Sequence, residues 1–153
     1  MRETSEKAPT LADDGDFRKN DSIKSQKSDE KWAITIRTPE QCQGFCSSSF
    51  WKDPVRTAGQ LRLYLDADFL LQDPSAAEKI LRSLTEKEIQ SVIALPKILR
   101  LRDGQYLEKL RKLLLENLAY INGFQAANME HIALLKQWNF TGKEIVWDHS
   151  LYL

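Results

Sequence analysis

Apolar side chains occupy every odd position between residues 61 and 71, and this is the strongest constraint that the sequence places on its fold. The odd positions hold Leu61, Leu63, Leu65, Ala67, Phe69 and Leu71, and the even positions hold Arg62, Tyr64, Asp66, Asp68 and Leu70. Because successive side chains of a strand point to opposite faces, this period of two predicts a strand with one apolar face and one mainly polar face. A helix is the alternative, since Leu61, Leu65 and Phe69 are also spaced by four and leucine favours helices.

Two shorter segments share the features of strands. Apolar and smaller side chains alternate over residues 32–36, which predicts a strand that ends at Thr38-Pro39. The apolar run within residues 144–147 predicts a short closing strand. The residues between the first two strands, 40–59, contain Cys, Gly, Ser and Pro without a clear period, and we interpret them as a long loop.

Helix signals dominate after the alternating segment. Asp73-Pro74 predicts a helix start, because an aspartate can accept hydrogen bonds from free amides and proline fits the first turn. Thr85 and Glu88 have the spacing of a capping box, which predicts a second helix that runs through Val92.

These elements predict an α+β domain in which helices dominate. Two further helices, at about 105–121 and 125–138, follow from apolar side chains at spacings of three and four. Three to four helices would then pack on a small sheet of two to three strands, in a single domain over residues 32–153 with Trp32 in its core. Residues 1–31 are polar, highly charged and without a period, so we predict a disordered N-terminal tail.

Charge and hydropathy exclude several classes of protein. The chain has 22 basic and 22 acidic residues, so its net charge gives no general attraction to nucleic acid or to acidic membranes. The first residues lack the apolar run of a signal peptide, and no stretch is long enough for a transmembrane helix. We therefore predict a cytoplasmic or nuclear protein that does not associate with membranes.

No cofactor, metal or catalytic residue is predicted from the motifs. The sequence has no glycine-rich motif of the kind that cradles nucleotide phosphates, and no serine stands in a recognisable nucleophile turn. Cys42 and Cys46 would need two more ligands for a structural zinc, and His131 and His149 are too far apart for the usual spacing. An enzyme is therefore the less favoured class.

The segment from 107 to 121 carries more leucine than one buried helix face needs. A helix that is apolar over much of its circumference is either fully buried or docked on a partner. We therefore predict a non-catalytic protein–protein interaction module, such as an adaptor, an inhibitor or a complex subunit, and a homo-oligomer falls within this prediction. The predicted partner-binding residues are Leu107, Leu113, Leu115, Leu118 and Trp51.

A nucleic-acid-binding protein is the first alternative. Residues 97–112 contain six basic side chains against Asp103 and Glu108, which gives the segment a net charge of +4. The basic residues are Lys97, Arg100, Arg102, Lys109, Arg111 and Lys112. A helix face of this charge can neutralise phosphates, although lysine and arginine stems also commonly cover core residues.

A metal-dependent nuclease is the second alternative. Asp66 and Asp68 share the polar face of the predicted strand, and Asp148 follows the closing strand. Carboxylates at strand ends can hold Mg²⁺ or Mn²⁺ for phosphodiester cleavage. Glu130 and Asp148 would have to complete such a site, and solvated charges on a strand explain the aspartate pair more simply.

Overall fold

The computed structural model describes residues 32–49, 61–99 and 102–148. In chain order the elements are β1 (Trp32–Ile36), α1 (Pro39–Ser47), β2 (Leu61–Asp66), α2 (Ala67–Gln72), α3 (Pro74–Glu86), β3 (Gln90–Ala94), α4 (Gly104–Glu116), a 3-10 turn (Leu118–Tyr120), β4 (Gly123–Ala126), α5 (Met129–Gln137) and β5 (Glu144–Trp147). The predicted disordered tail, Trp51 and Arg100 lie outside the described residues. None of the described helices is both long enough and apolar enough to cross a membrane.

The five strands form one sheet whose spatial order equals the chain order, β1-β2-β3-β4-β5. Each strand pairs in parallel with the next one along the chain. One row of the register crosses the whole sheet through Ile36, Leu65, Ile93, Phe124 and Ile145. Because crossovers between neighbouring parallel strands are right-handed, this order places the connecting helices on a single face.

One apolar core joins that face of the sheet to the helices. Each of the five helices in the described part of the chain contributes to it, through Cys42, Phe69, Leu81, Leu110 and Leu135 among others. Alternate strand residues, such as Leu63 and Phe124, complete the core. The strand residues between them point to the opposite face, which no helix in the described part of the chain covers, although Val92 at its centre is buried.

The predicted α+β class is wrong, because the domain is an α/β fold built on a five-stranded parallel sheet. Strand β3 falls inside a predicted helix, and strand β4 overlaps the start of another. Strands that are buried on both faces are continuous apolar runs, and periodicity cannot distinguish these from a buried helix. In β3, Ser91, Val92 and Ile93 are all buried, so no alternation marks the strand.

The helix boundaries explain the remaining differences. Thr85 does not begin a helix; it lies inside α3, where its hydroxyl donates to the carbonyl of Leu81 at 3.1 Å. Asp73 caps α3 as predicted, since its carboxylate accepts from the N–H of Ala76 at 3.0 Å. The predicted helix at 125–138 begins only at Met129, because the chain before it forms β4.

Helix α1 occupies part of the predicted loop. Its start repeats the signal seen at α3: the Thr38 hydroxyl accepts from the N–H of Gln41 at 3.3 Å, and Pro39 lies in the first turn. Cys42 is its one buried residue, so the helix lacks the apolar stripe by which amphipathic helices are detected.

Two helices end in a residue with left-handed backbone conformation that is not glycine. Glu88 after α3 has a φ of 57°, and Asn139 after α5 has a φ of 60°. Both ends have the hydrogen bonds of a Schellman motif, such as the 2.9 Å bond from the N–H of Ile89 to the carbonyl of Leu84. Asparagine tolerates this conformation better than glutamate does, so Glu88 holds the greater strain.

We expect Glu88→Gly to raise the free energy of unfolding by about 0.5–1 kcal/mol, because glycine adopts positive φ without a steric cost. Glu78→Gly, on the exposed side of the same helix, is the matched control and should lower that free energy by about 1 kcal/mol. Urea denaturation of the two variants measures both changes. A Glu88→Gly protein less stable than the wild type would contradict the assignment of strain to this helix end.

On the uncovered face, one ion pair joins two strands that lie three strand spacings apart. Arg62 of β2 donates to both carboxylate oxygens of Glu144 of β5, at 3.1 and 3.0 Å. Between them, Gln90 accepts from the same guanidinium and Gly123 presents no side chain. Strands three spacings apart are separated by about 14 Å in a flat sheet, so this contact indicates that the uncovered face is concave.

Candidate ligand-binding cleft

A polar cleft of about 710 Å³ lies at the carboxyl ends of the strands. The charged and amide side chains that line it are Arg37, Asp66, Asp68, Lys97, Arg102, Gln125 and Asp148. They come from the ends of all five strands and from the segments that follow them. In parallel α/β folds this edge of the sheet is where ligands bind, because the connecting segments diverge there and leave a crevice.

The chain turns directly from β2 into α2 at the floor of the cleft. The Asp66 carboxylate accepts from the N–H of Asp68 at 2.8 Å and so caps α2. The alternating pattern of the sequence therefore contains a strand up to Asp66 and a helix from Ala67. This turn places both aspartates in the cleft lining. The second carboxylate oxygen of Asp66 has no hydrogen-bond partner among the described residues.

Asp68 is held by two partners from the segment around the start of α4. One carboxylate oxygen accepts from Arg102 at 2.5 Å and the other from the Tyr106 hydroxyl at 2.6 Å. The Arg102 guanidinium also lies over the Tyr106 ring, 4.7 Å from its centroid. Burial of the phenol, and then its bond to Asp68, raises the pKa of Tyr106. Asp68 and Arg102 line the cleft, and Tyr106 holds Asp68 in place without lining it.

His131 holds a second wall in place. Its Nδ1 accepts from the N–H of Ala127 at 3.0 Å, so its Nε2 carries the proton and donates to the carbonyl of Pro96 at 2.9 Å. Asn128 caps α5 and also donates to the carbonyl of Lys97 at 3.2 Å. These bonds join the segment after β3 to the turn after β4. Burial lowers the pKa of His131, which favours the neutral ring that this geometry requires.

Three side chains of the cleft remain uncommitted. Arg37 follows β1, Lys97 follows β3 and Gln125 lies in β4. None of the three side chains makes a hydrogen bond or an ion pair with another residue in the described part of the chain. Two cations and an amide are thus available to a ligand in a cleft whose other arginine is already paired.

The fold places the described residues of the predicted basic surface in two separate groups. Lys97 and Arg102 line the cleft, whereas Lys109, Arg111 and Lys112 lie on the exposed side of α4 and do not line it. Two of the α4 cations have acidic neighbours on the same helix, with Arg111 3.6 Å from Glu108 and Lys112 3.9 Å from Glu116. The alternative of nucleic-acid binding through the whole segment stays a prediction.

The predicted partner-binding leucines differ in their exposure. Leu113 is buried in the core, and Leu107 and Leu118 are half-buried against it. Leu115 is 57% exposed. The abundance of leucine in this segment is thus largely explained by burial within the chain. Binding of a partner through α4 stays a prediction. Among the described leucines of this set, only Leu115 is exposed enough for its substitution to test the prediction directly.

The structure brings together three of the four carboxylates of the predicted metal site. Asp66, Asp68 and Asp148 all line the cleft, whereas Glu130 lies exposed in the first turn of α5 and does not. Both oxygens of Asp68 are already engaged by Arg102 and Tyr106. No group of three or more potential metal ligands is found among the described residues.

Cys42 and Cys46 lie one turn apart on α1, the first buried and the second exposed. Burial, with a smaller effect of the neighbouring thiol, raises the pKa of Cys42 to about 11. A thiol with such a pKa is protonated near neutral pH and is therefore a poor nucleophile. Neither cysteine lines the carboxyl-edge cleft.

No known protein family matches the sequence, and searches of curated proteins and of solved structures also find no match. The function of the cleft therefore has to be argued from its own geometry.

Proposed function

We propose that the protein binds a small polar ligand that carries an anionic group, such as a phosphate or a carboxylate, in the carboxyl-edge cleft. The observation that carries this proposal is the pair of uncommitted cations, Arg37 and Lys97, in the same cleft. Hydrogen bonds from charged donors to an anion are about twice as strong as neutral ones, so these two side chains are its main source of affinity.

The rest of the cleft supports a ligand with further polar groups. The Gln125 amide can both donate and accept. The unbonded oxygen of Asp66 can accept a hydrogen bond from a hydroxyl or an amine of the ligand. Asp68 serves a different purpose, because its bonds to Arg102 and Tyr106 fix the wall beside the ligand.

Binding of simple anions tests the proposal. Inorganic phosphate and malonate, titrated at low salt into the full chain, should shift the side-chain NMR signals of Arg37 and Gln125. We expect Arg37→Ala and Lys97→Ala each to weaken binding about tenfold, since a hydrogen bond to a charged group contributes about 1.5–3 kcal/mol.

Lys109→Ala and Arg111→Ala are the matched controls, because both remove a surface cation outside the cleft. They should leave the affinity within about a factor of two, as expected for charges screened by solvent. Two results would contradict the proposal: no saturable shift with either anion, or an equal loss of affinity in the cleft and control variants. The second result would favour diffuse electrostatic binding, as the nucleic-acid alternative requires.

A further inference from the structure

The outer edges of β1 and β5 are unpaired within the described part of the chain. Strand β1 has the sequence WAITI, which contains neither a charge nor a proline. Natural sheets normally protect an edge strand with lysine, proline, a bulge or a covering element, because its free N–H and C=O groups otherwise pair with another chain. β1 has no protecting residue of its own, which points to a strand that has a partner.

Both edges also expose a large apolar side chain. Trp32 on β1 is 54% exposed and Trp147 on β5 is 42% exposed, whereas the sequence predicts Trp32 in the core. Both belong to the set of strand positions that faces the helices. Tryptophans are enriched among the residues that dominate binding energy at interfaces.

The topology determines which partner fits these edges. All five strands run in the same direction, the helices lie on one face and the other face is concave, so the domain has the form of an incomplete barrel. A twofold rotation about an axis parallel to the strands preserves their direction. It brings β5 of one copy beside β1 of a second copy and, at the opposite seam, β1 of the first beside β5 of the second.

We propose that two copies of this chain associate through these edges and close a parallel ring of strands with the helices outside. The charges at the carboxyl ends of the two edge strands are complementary, since Arg37 follows β1 and Asp148 follows β5 on the same face of the sheet. Each seam therefore brings Arg37 of one copy and Asp148 of the other to the same side of the sheet, where both side chains still line the cleft. Closure also buries Trp32 and Trp147 of each copy beside the seams.

The association would complete the cleft. Arg37 and Asp148 lie at its two outer ends, and pairing at the seams continues the carboxyl edge into the cleft of the second copy. The inference does not depend on ligand binding, because a mass measurement requires no ligand. Failure of the dimer and failure of anion binding are thus separate results.

Sedimentation velocity of the full chain over a range of concentrations tests the proposal. We expect a species with twice the 17.7 kDa mass of the chain. Trp32→Lys and Trp147→Lys should each raise the dimer dissociation constant at least about tenfold, as loss of a buried aromatic anchor does. Leu115→Lys is the matched control: it adds the same charge to an exposed apolar position on α4, away from both edges, and should leave the mass unchanged.

Three outcomes would overturn the proposal. These are a monomer at all concentrations, a mass that grows without a limit, and dissociation by Leu115→Lys with the edge variants unaffected. The last outcome would move the interface to α4. Where a lysine variant fails to fold, hydrogen exchange of the wild type decides the question. The amides of β1 and β5 should exchange more slowly at high protein concentration, and equal rates at all concentrations would again overturn the dimer.

Discussion

Replacing His131 by alanine is expected to lower the free energy of unfolding by about 3–5 kcal/mol, the largest effect that we expect from a single polar substitution in this protein. The ring is fully buried and pairs two backbone groups, the N–H of Ala127 and the carbonyl of Pro96. Alanine leaves the buried carbonyl of Pro96 and the half-buried N–H of Ala127 without this partner, at up to about 1–3 kcal/mol each, and also leaves a cavity. Thermal or urea denaturation measures the change.

Met129→Ala is the matched control for this substitution. Met129 lies two residues earlier on α5 and is 70% exposed, so its loss should change the stability by less than about 0.5 kcal/mol. The His131→Ala protein should also bind phosphate less tightly, because the segment that presents Lys97 then keeps only the Asn128 bond to the start of α5. Normal stability of this variant would show that the two backbone groups find other partners.

The same ring makes the stability depend on pH. Burial lowers the pKa of His131 below its ordinary value of about 6.5. The unfolded chain therefore takes up a proton before the folded chain does, and the stability falls as the pH decreases through 6.5 toward the folded-state pKa. The slope in this window cannot exceed about 1.4 kcal/mol per pH unit for one group. Urea denaturation between pH 8 and pH 5 should show this decrease in stability in the wild type, and the decrease should be absent in His131→Ala.

Gly123→Ala is expected to cost about 1–3 kcal/mol, because it forces extra volume into a packed position. A Cβ at this residue would lie 2.8 Å from the backbone oxygen of Glu144. That oxygen belongs to β5, so β5 must move away from β4 and draw the Glu144 carboxylate away from Arg62. Denaturation measures the cost. The Arg62 guanidinium protons, followed by NMR, should exchange with solvent more slowly in the wild type than in the variant, because only the wild type keeps the full contact with Glu144.

Gly142→Ala provides the matched control for Gly123→Ala. A Cβ at Gly142 meets no atom within 4 Å, so its addition should change the stability by less than about 0.5 kcal/mol. Equal stabilities of the two alanine variants would show that β5 adjusts without strain, contrary to the close approach of the two strands.

The sequence predicts individual elements of this fold better than their assembly. The strand at β1, the start of α3 at Asp73 and the closing strand at β5 all follow from local signals, namely alternation, a capping aspartate and an apolar run. Strand β3 does not, because burial on both faces removes the alternation that identifies a strand. Once β3 is interpreted as a helix, the parallel sheet cannot be inferred from the remaining elements.

The candidate site was only partly predictable for the same reason. Asp66, Asp68 and Asp148 stand out because carboxylates at strand ends are recognisable in a sequence, and all three line the cleft. Arg37 and Gln125 give no such signal. They matter because they lie at the carboxyl ends of β1 and β4. Only in a parallel sheet do the carboxyl ends of all strands lie along one edge, so an α+β interpretation does not bring these residues together. Recognition of β3 and β4 as strands would have brought both residues into consideration.

The consecutive order of the strands also has a consequence for how the chain folds. Every strand after β1 pairs with the strand that precedes it in the chain. The paired residues are 21 to 31 positions apart, and pairing with a more distant strand would require a longer loop and slower folding. A chain that emerges from the ribosome can therefore add each new strand to a neighbour that is already in place. The Arg62–Glu144 contact joins residues 82 positions apart, and it can form only after the last strand has been synthesised.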